Sequence, residues 1–360
     1  MNLTREVDAL IRPEVRALSA YHVQDASGLI KLDAMENPYR WPEDLVDAWL
    51  ERLRGAEINR YPDPAAAALK TALRRAAAVP EGAEILLGNG SDEIIQILLM
   101  AVAGPGVTVL APEPTFVMYR QIAVSLGLNF VGVPLRQDDF SLDPDALRAA
   151  LRLHRPAIVF LAYPNNPTGN LFDADDIRRL LDEAPGLVVL DEAYAPFAEA
   201  SFMDALPDYE HLLVMRTLSK LGLAGLRLGF LAGAPRWVEQ FEKLRLPYNI
   251  NILTQLSALF ALEHPEVFAG QTARIRGARE NLFRALHALP DVRVYPSRAN
   301  FLLFRLHGKP AFQVFSAIRE AGVLVKYFAA ETGPLAGCLR VTVGTAEENA
   351  AFLAALRNAL

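Results

Sequence analysis

Short apolar runs alternate with helical patterns between residues 84 and 232 of this 360-residue chain. The runs have the length of strands, and each is followed by a polar or Gly- and Pro-containing stretch that leads into the next element. Continuous apolar strands separated by helices are typical of a mostly parallel sheet that is covered on both faces. The predicted strands are EILL (84–87), VTVL (107–110), NFVGV (129–133), AIVFLA (157–162), LVVLDEAY (187–194), LLVMR (212–216) and LRLGFLA (226–232).

The pattern changes after residue 250, where a long helical stretch at about 252–289 precedes a second group of strands. The chain is therefore predicted to have an α/β fold, with a large domain whose mostly parallel sheet is flanked by helices and a smaller α+β domain. The predicted strands of the smaller domain are VRVYP (292–296), NFLLFRL (300–306), VLVKYF (323–328) and CLRVTVG (338–344), with helices at 309–320 and 346–358. The predicted divisions are a large domain at 46–250, a small domain at 1–45 and 280–360, and a linking helix at 251–279.

The composition is that of a globular protein, with 52% hydrophobic and 22% charged residues. A net charge of −6 gives no indication of a nucleic-acid partner, and no metal site is predicted. Cys338 is the single cysteine, which excludes an intrachain disulfide and is typical of a reducing compartment. The charged N-terminal sequence lacks the pattern of a signal peptide, and the longest apolar run, at 94–103, is too short to span a bilayer. We therefore expect a cytoplasmic protein with no membrane partner.

Two loops that follow predicted strands have residues suited to binding an anion. In GNGSDE (88–93), two glycines allow a close backbone approach, and Ser91 and Asp92 are typical of a helix start, whose N–H groups bind phosphate. In AYPNNPTGN (162–170), the amide of Asn166 is a candidate donor to an anionic oxygen. Taken alone, the first loop is more typical of a capped turn without a ligand, and the second is equally typical of a tight turn.

Two further loops carry charges in apolar surroundings. Asp191 ends the run LVVLDEAY, with Tyr194 three residues later, and a half-buried carboxylate there needs a cationic partner. In TLSKLGLAGLRLGF (217–230), an apolar environment lowers the pKa of Lys220, which makes its amine a candidate nucleophile or Schiff-base former. The alternatives are a helix N-cap for Asp191 and ordinary surface charges for Lys220 and Arg227.

The four loops together indicate one ligand that has a phosphate, a group that pairs with a buried aspartate and an electrophile for a lysine. Pyridoxal phosphate satisfies all three requirements. Its aldehyde forms a Schiff base with lysine, its pyridinium nitrogen requires a carboxylate, and its phosphate is the anion.

The four motifs, in this order, resemble those of the fold-type I pyridoxal-phosphate aminotransferases. Within that family the chain is similar to the histidinol-phosphate aminotransferases over nearly its whole length. The stretches that carry this resemblance are NRYPDP (59–64), YPNNPTGN (163–170), VLDEAY (189–194), TLSKLGLAGLRLGF (217–230), SRANFLLF (297–304) and CLRVTVGT (338–345).

The resemblance implies a role at each matching position. Lys220 would form the Schiff base with the cofactor, and Asp191 would pair with the ring nitrogen. Tyr194 and Asn166 would hydrogen-bond the phenolic oxygen of the ring, and Phe116 would stack on the ring, where family members often have tyrosine. The residues that the resemblance implies as phosphate ligands are Ser91, Asp92, Ser219 and Arg227.

The resemblance also implies shared sites and a substrate clamp. Tyr61 would reach the phosphate of the neighbouring subunit's cofactor, so a homodimer is expected. Arg340 would bind the anionic group of each substrate, because its fork suits a carboxylate and a phosphate alike. Tyr21 and Lys326 are candidates for the phosphate end of the substrate, although some relatives carry arginine where Lys326 aligns. In many relatives the step from the lysine to the arginine is one residue longer than the seven found from Lys220 to Arg227.

The expected reaction interconverts imidazole-acetol phosphate and L-glutamate with L-histidinol phosphate and 2-oxoglutarate, with Lys220 as general base and then acid. The alternatives are an aromatic or broad-range aminotransferase, an amino-acid-phosphate decarboxylase that uses the same cofactor, and a ligand-sensing protein that binds the cofactor without turnover.

Overall fold

The computed structural model describes residues 3–20, 23–329 and 332–360. The helices within these residues are α1 (Leu3–Leu10), α2 (Pro13–Arg16), α3 (Glu43–Leu53), α4 (Ala67–Ala76), α5 (Ser91–Val102), α6 (Met118–Ser125), α7 (Pro144–His154), α8 (Ala174–Glu183), α9 (Ala195–Ala198), α10 (Pro235–Glu242), α11 (Ile252–Glu263), α12 (Pro265–His287), α13 (Ala311–Glu320) and α14 (Ala346–Ala359), with single 3₁₀ turns at Met203–Ala205, Ser219–Leu221 and Ala224–Leu226. The strands are β1 (Ile30–Lys31), β2 (Glu84–Gly88), β3 (Thr108–Glu113), β4 (Asn129–Pro134), β5 (Ile158–Ala162), β6 (Leu187–Asp191), β7 (Leu212–Thr217), β8 (Gly229–Gly233), β9 (Val292–Val294), β10 (Phe301–Leu306), β11 (Val323–Leu324), β12 (Lys326–Tyr327) and β13 (Cys338–Thr342).

The predicted mostly parallel sheet is confirmed. Its seven strands have the order β2-β8-β7-β6-β5-β3-β4. Every neighbouring pair is parallel except the two that include β8, which runs antiparallel to both β2 and β7. The other strands therefore all end at one edge of the sheet, and β8 begins at that edge.

The apolar runs are continuous because both faces of the sheet are buried. On β5, Val159 and Leu161 belong to the apolar cluster on one face, while Ile158 and Phe160 belong to the cluster on the other. Strands β2, β6 and β7 alternate in the same way, as the two-residue period of a strand requires. Helices cover each face, so neither side of these strands needs polar residues.

A four-stranded antiparallel sheet of order β12-β13-β10-β9 forms the second layer, with its own apolar cluster. The predicted strand 323–328 is divided at Val325: β11 pairs in parallel with β1, whereas β12 pairs with β13. The short pair of β1 and β11 attaches the N-terminal segment to the C-terminal part of the chain.

The helical stretch predicted at 252–289 is two helices rather than one. Helix α11 ends at Glu263 and α12 begins at Pro265, whose ring is compatible with the first turn of a helix but not with the interior. The domain boundaries at 45/46, 250/251 and 279/280 stay predictions. Across the described ranges, none of the helices combines the length and the apolar character that a membrane crossing requires.

Candidate active site

The candidate residues meet at the sheet edge where β2, β3, β5, β6 and β7 end. Asp191 is the last residue of β6, Asn166 follows β5 and Lys220 follows β7. Because β8 runs in the opposite direction, Arg227, two residues before its start, lies at the same edge. The carboxyl ends of the strands are where an open α/β sheet binds its ligand.

A cavity of about 230 Å³ opens at this edge. Segment 34–36 of the N-terminal part contributes to its wall, which the sequence did not indicate, because these residues carry no motif. The predicted cofactor residues that line the cavity are Ser91, Asp92, Phe116, Asn166, Asp191, Tyr194, Ser219, Lys220 and Arg227.

The amine of Lys220 is directed into the cavity from the turn after β7. Its Nζ donates to the backbone oxygen of Ala34 at 3.2 Å and lies 5.9 Å from the centre of the Tyr194 ring. Burial, together with the positive charges of Arg340 and Arg227, lowers the pKa of Lys220 to about 8. A substantial fraction of this amine is therefore neutral near physiological pH, as a nucleophile or proton acceptor requires.

Asp191 faces the cavity from the end of β6 and is 4% exposed. Burial raises its pKa to about 6, while hydrogen bonds from Tyr119 and from the backbone of Ala193 act in the opposite direction. The Tyr119 hydroxyl donates to Oδ2 at 2.6 Å, and the Ala193 N–H donates to Oδ1 at 3.1 Å. Sequence reasoning missed Tyr119, whose only signal was its position three residues after Phe116 in PEPTFVMY.

Helix α5 directs its N-terminus at the cavity. Its N-cap is Gly90 (φ +79°), so Ser91 and Asp92 occupy the first turn rather than the cap that the sequence indicated. No side chain caps this end in the described structure, so the first N–H groups of α5 are available to an anion. The Arg227 guanidinium lies over Gly90, where an added Cβ would come within 2.7 Å of Nη2. Nη2 is also 3.6 Å from the carboxylate of Asp92.

Arg340 lies on β13 of the smaller sheet and reaches the cavity through its contact with Asn166. It is buried and donates through Nη1 to the Oδ1 of Asn166 and through Nη2 to the backbone oxygen of Asp33, the latter at 2.9 Å. Lys326 is its cross-strand partner on β12. Burial lowers the pKa of Lys326, and the nearby charge of Arg340 lowers it further.

Among the described residues, three predicted ones do not line this cavity, namely Arg340, Lys326 and Tyr61. Tyr61 is 80% exposed and stacks on Tyr248 with ring centres 4.4 Å apart. Tyr21 lies outside the described residues.

A larger groove of about 620 Å³ lies behind the Lys220 segment, between α9, α12 and the end of β7. Its wall is largely apolar, and its arginines are paired: Arg216 lies 2.8 Å from Glu192, and Arg276 lies 2.6 Å from Glu199. Among the described residues, the smaller cavity rather than the larger groove combines a buried amine, a buried carboxylate and the N-terminus of a helix.

Comparison with known proteins agrees with this geometry. The model of the family "Aminotransferase class I and II" matches residues 27–356. The chain is 60% identical over 347 residues to histidinol-phosphate aminotransferase 2 of Nitrosococcus oceani, which covers 96% of each chain. It is 54% identical over 356 residues to histidinol-phosphate aminotransferase 1 of Ralstonia nicotianae, which covers 98% of this chain and 94% of that protein.

Among solved structures, the fold is similar to that of histidinol-phosphate aminotransferase from Sinorhizobium meliloti in complex with pyridoxal 5'-phosphate. The TM-score is 0.85 at 24% identity, and the match covers 98% of this chain and 97% of the other. The predicted fold class is thereby confirmed. The family model matches nearly the whole chain, and the two relatives named above are 60% and 54% identical to it. The chain therefore belongs to the class I and II aminotransferase family.

Proposed function

We propose that the protein is a pyridoxal-phosphate-dependent histidinol-phosphate aminotransferase. It would exchange the amino group between L-glutamate and imidazole-acetol phosphate, yielding 2-oxoglutarate and L-histidinol phosphate in histidine biosynthesis. The observation that carries the proposal is the cavity itself, which combines the amine of Lys220, the buried carboxylate of Asp191 and the uncapped N-terminus of α5. The names of the relatives at 60% and 54% identity support the choice of substrate.

The residues fit the cofactor group by group. Gly90 leaves the N–H groups at the start of α5 without a side-chain cap, and Arg227 lies beside them, so a phosphate would be bound there by dipole and charge. The hydroxyl of Ser219, fixed by a 3.0 Å hydrogen bond from Thr217, is a further donor. Asp92 would contribute its backbone N–H, because its carboxylate repels an anion.

Pyridoxal phosphate, when bound, supplies an aldehyde that reacts with amines and a ring that accepts the electrons released at the substrate Cα. Lys220 would remove the proton from that Cα with its neutral Nζ as general base, and would then deliver it as general acid to the carbon that carries the cofactor's aldehyde. Asp191 would hold a proton on the ring nitrogen, because its buried carboxylate favours a cationic partner. The Asn166 Oδ1 accepts from Arg340, so its NH₂ group would be the donor to the ring's phenolic oxygen, beside Tyr194.

Arg340 and Lys326 would bind the anionic ends of the substrates. The two residues are directly paired on β13 and β12, so two positive charges lie side by side on the smaller sheet. The fork geometry of the Arg340 guanidinium suits the carboxylate of glutamate and of 2-oxoglutarate, and it also suits a phosphate. Lys326 provides a point charge better suited to a phosphate monoester than to directional binding.

We also propose a homodimer with shared sites. Tyr61 is exposed and stacked on Tyr248, with Ile58 and Leu246 also exposed nearby in sequence, so this surface has apolar side chains available to a second copy.

An absorbance titration tests the function. The protein loaded with pyridoxal phosphate should lose its visible band on addition of L-histidinol phosphate without a keto acid, and 2-oxoglutarate should restore it. A band that responds to phenylalanine but not to histidinol phosphate would indicate an aromatic aminotransferase. Release of carbon dioxide from an amino-acid phosphate would indicate a decarboxylase, and failure to bind pyridoxal phosphate would overturn the cofactor assignment.

A further inference from the structure

Behind the cavity, a tyrosine that does not line it is hydrogen-bonded to Asp191. Tyr119 lies on α6, is fully buried, and donates its hydroxyl to Oδ2 of Asp191 at 2.6 Å. Its ring stacks on Phe160 with centres 4.6 Å apart and planes 9° apart, and Phe116 contacts it edge-on at 5.5 Å. Because packing fixes the ring on both sides, the position of the hydroxyl is fixed as well.

The carboxylate of Asp191 is oriented by two donors. Oδ2 accepts from Tyr119, and Oδ1 accepts from the Ala193 N–H at 3.1 Å. A carboxylate has about four acceptor positions, so both oxygens retain capacity for a donor in the cavity. The Tyr119 bond therefore sets, together with the Ala193 N–H, the plane that the carboxylate presents to a ligand.

The charges around Asp191 do not favour its ionised form. Burial raises its pKa, and the carboxylates of Asp92 and Glu192 raise it further. The charge of Glu192 is neutralised in part by Arg216, whose Nη2 lies 2.8 Å from Oε2 of Glu192. Lys220 and Arg227 are cationic side chains that line the cavity together with Asp191. Tyr119 supplies a side-chain donor that lowers the pKa of Asp191, and burial raises the pKa of Tyr119 itself well above its ordinary value, so it stays a neutral donor.

We infer that Tyr119 is a positioning residue for the cofactor: its hydroxyl keeps Asp191 ionised and oriented toward the ring nitrogen. The inference rests on the proposed function, since it concerns the same bound cofactor. Tyr119 does not line the cavity, so its hydroxyl acts through Asp191, while its ring contacts the cavity residue Phe116. Losing its hydrogen bond would affect the cofactor most at the pH where Asp191 changes its charge.

The test compares Tyr119→Phe, which keeps the ring and removes the hydroxyl, with Tyr295→Phe, which removes a buried hydroxyl outside the cavity. The dissociation constant of pyridoxal phosphate is measured from pH 5 to 9, and the absorption spectrum of the loaded protein is recorded at each pH. In Tyr119→Phe we expect roughly tenfold weaker binding near neutral pH, with the acid-side loss of affinity shifted upward by about one pH unit. Tyr295→Phe should match the wild type.

Replacing Tyr119 by 3-fluorotyrosine, a stronger donor of similar size, should shift the acid-side loss in the opposite direction, so the inference is testable even if Tyr119→Phe folds poorly. An unshifted profile in the fluorotyrosine protein would overturn the inference, as would affinity loss in Tyr119→Phe that is equal at every pH. If the wild-type protein does not bind pyridoxal phosphate at all, the proposed function and this inference both fail. If it binds normally and Tyr119→Phe is unchanged, only the inference fails.

Discussion

The guanidinium of Arg340 donates through Nη1 to the amide oxygen of Asn166, although the two residues are 174 positions apart in the sequence. Arg340 belongs to the smaller sheet, and Asn166 to the loop after β5 of the larger one. Because arginine is only a donor, the contact fixes which end of the amide is the oxygen and directs the NH₂ group elsewhere. The residue expected to bind the substrate therefore also orients a residue expected to bind the cofactor.

The substitution Arg340→Lys tests this double contact. Lysine keeps the charge but cannot bond both Asn166 and the backbone oxygen of Asp33 through a planar fork. Since a hydrogen bond to a charged group contributes about 1.5–3 kcal/mol, we expect kcat/KM to fall roughly 10- to 100-fold for glutamate and for histidinol phosphate. Steady-state kinetics with each substrate provides the measurement.

Lys326→Met is the matched variant, because Lys326 is the cross-strand neighbour of Arg340 but is expected to contact only the phosphate end of the substrate. Lys326→Met should lower kcat/KM for histidinol phosphate and leave kcat/KM for glutamate nearly unchanged. An Arg340→Lys enzyme that keeps wild-type kcat/KM for either substrate would contradict the shared role of Arg340.

Gly90→Ala tests whether the Arg227 guanidinium contributes to anion binding at the start of α5. A Cβ at position 90 would lie 2.7 Å from Nη2 of Arg227, the end of a flexible side chain, so the guanidinium would move away from the start of α5. We expect Gly90→Ala to bind pyridoxal phosphate about tenfold or more weakly, by the magnitude of one lost charge-assisted contact. Its affinity for inorganic phosphate should decrease in parallel.

Gly106→Ala is the control for this change. Gly106 has a similar φ of +76°, but a Cβ there would meet no atom within 4 Å. Both substitutions should lower the unfolding free energy by about 1–3 kcal/mol, because both place a side chain at a positive φ that favours glycine. Equal affinity for pyridoxal phosphate in the two variants would refute the contact between Arg227 and the anion site.

The sequence predicted the large sheet well because both of its faces are buried, which leaves unmistakable apolar runs such as 157–162 and 212–216. It did not predict that β8 is antiparallel, since a fully buried strand has the same pattern in either direction. It also joined β11 to β12, because Val325 is buried and nothing in the apolar run marks the point where the chain passes from one sheet to another.

In the cavity, the residues that sequence reasoning identified lie at strand ends or shortly after them, where a polar side chain after an apolar run is conspicuous. Lys220, Asp191 and Asn166 are of this kind. Tyr119 was missed because a buried tyrosine on a helix has the same pattern as an ordinary core residue. Ala34 was missed because it contributes only a backbone oxygen, which leaves no trace in the sequence.

The lowered pKa of Lys220 predicts an unusual reactivity in the protein without cofactor. Half of its amine should be neutral near pH 8, so competitive labelling with acetic anhydride should give a midpoint near that value. Mass spectrometry of labelled peptides measures it, with the exposed Lys243 as the internal reference. A midpoint above pH 10 would contradict the buried, cation-flanked environment.

Lys220→Ala should bind the cofactor only non-covalently and show no turnover.

The raised pKa of Asp191 predicts the pH dependence of stability in the protein without cofactor. The carboxyl has a pKa of about 6 when folded against 3.8 as the ordinary value, so between these values the folded chain retains a proton that the unfolded chain releases. The contribution of this group is therefore present at low pH and is lost as pH rises from about 4 to 6. Asp191→Asn removes this dependence, so the unfolding free energy of the variant relative to wild type should increase across that interval by up to about 3 kcal/mol. Urea unfolding at pH 4, 5, 6 and 7 measures the difference. Parallel pH profiles for the two proteins would mean that folding leaves the pKa of Asp191 close to its ordinary value, and that the buried cavity already contains enough positive charge without a cofactor.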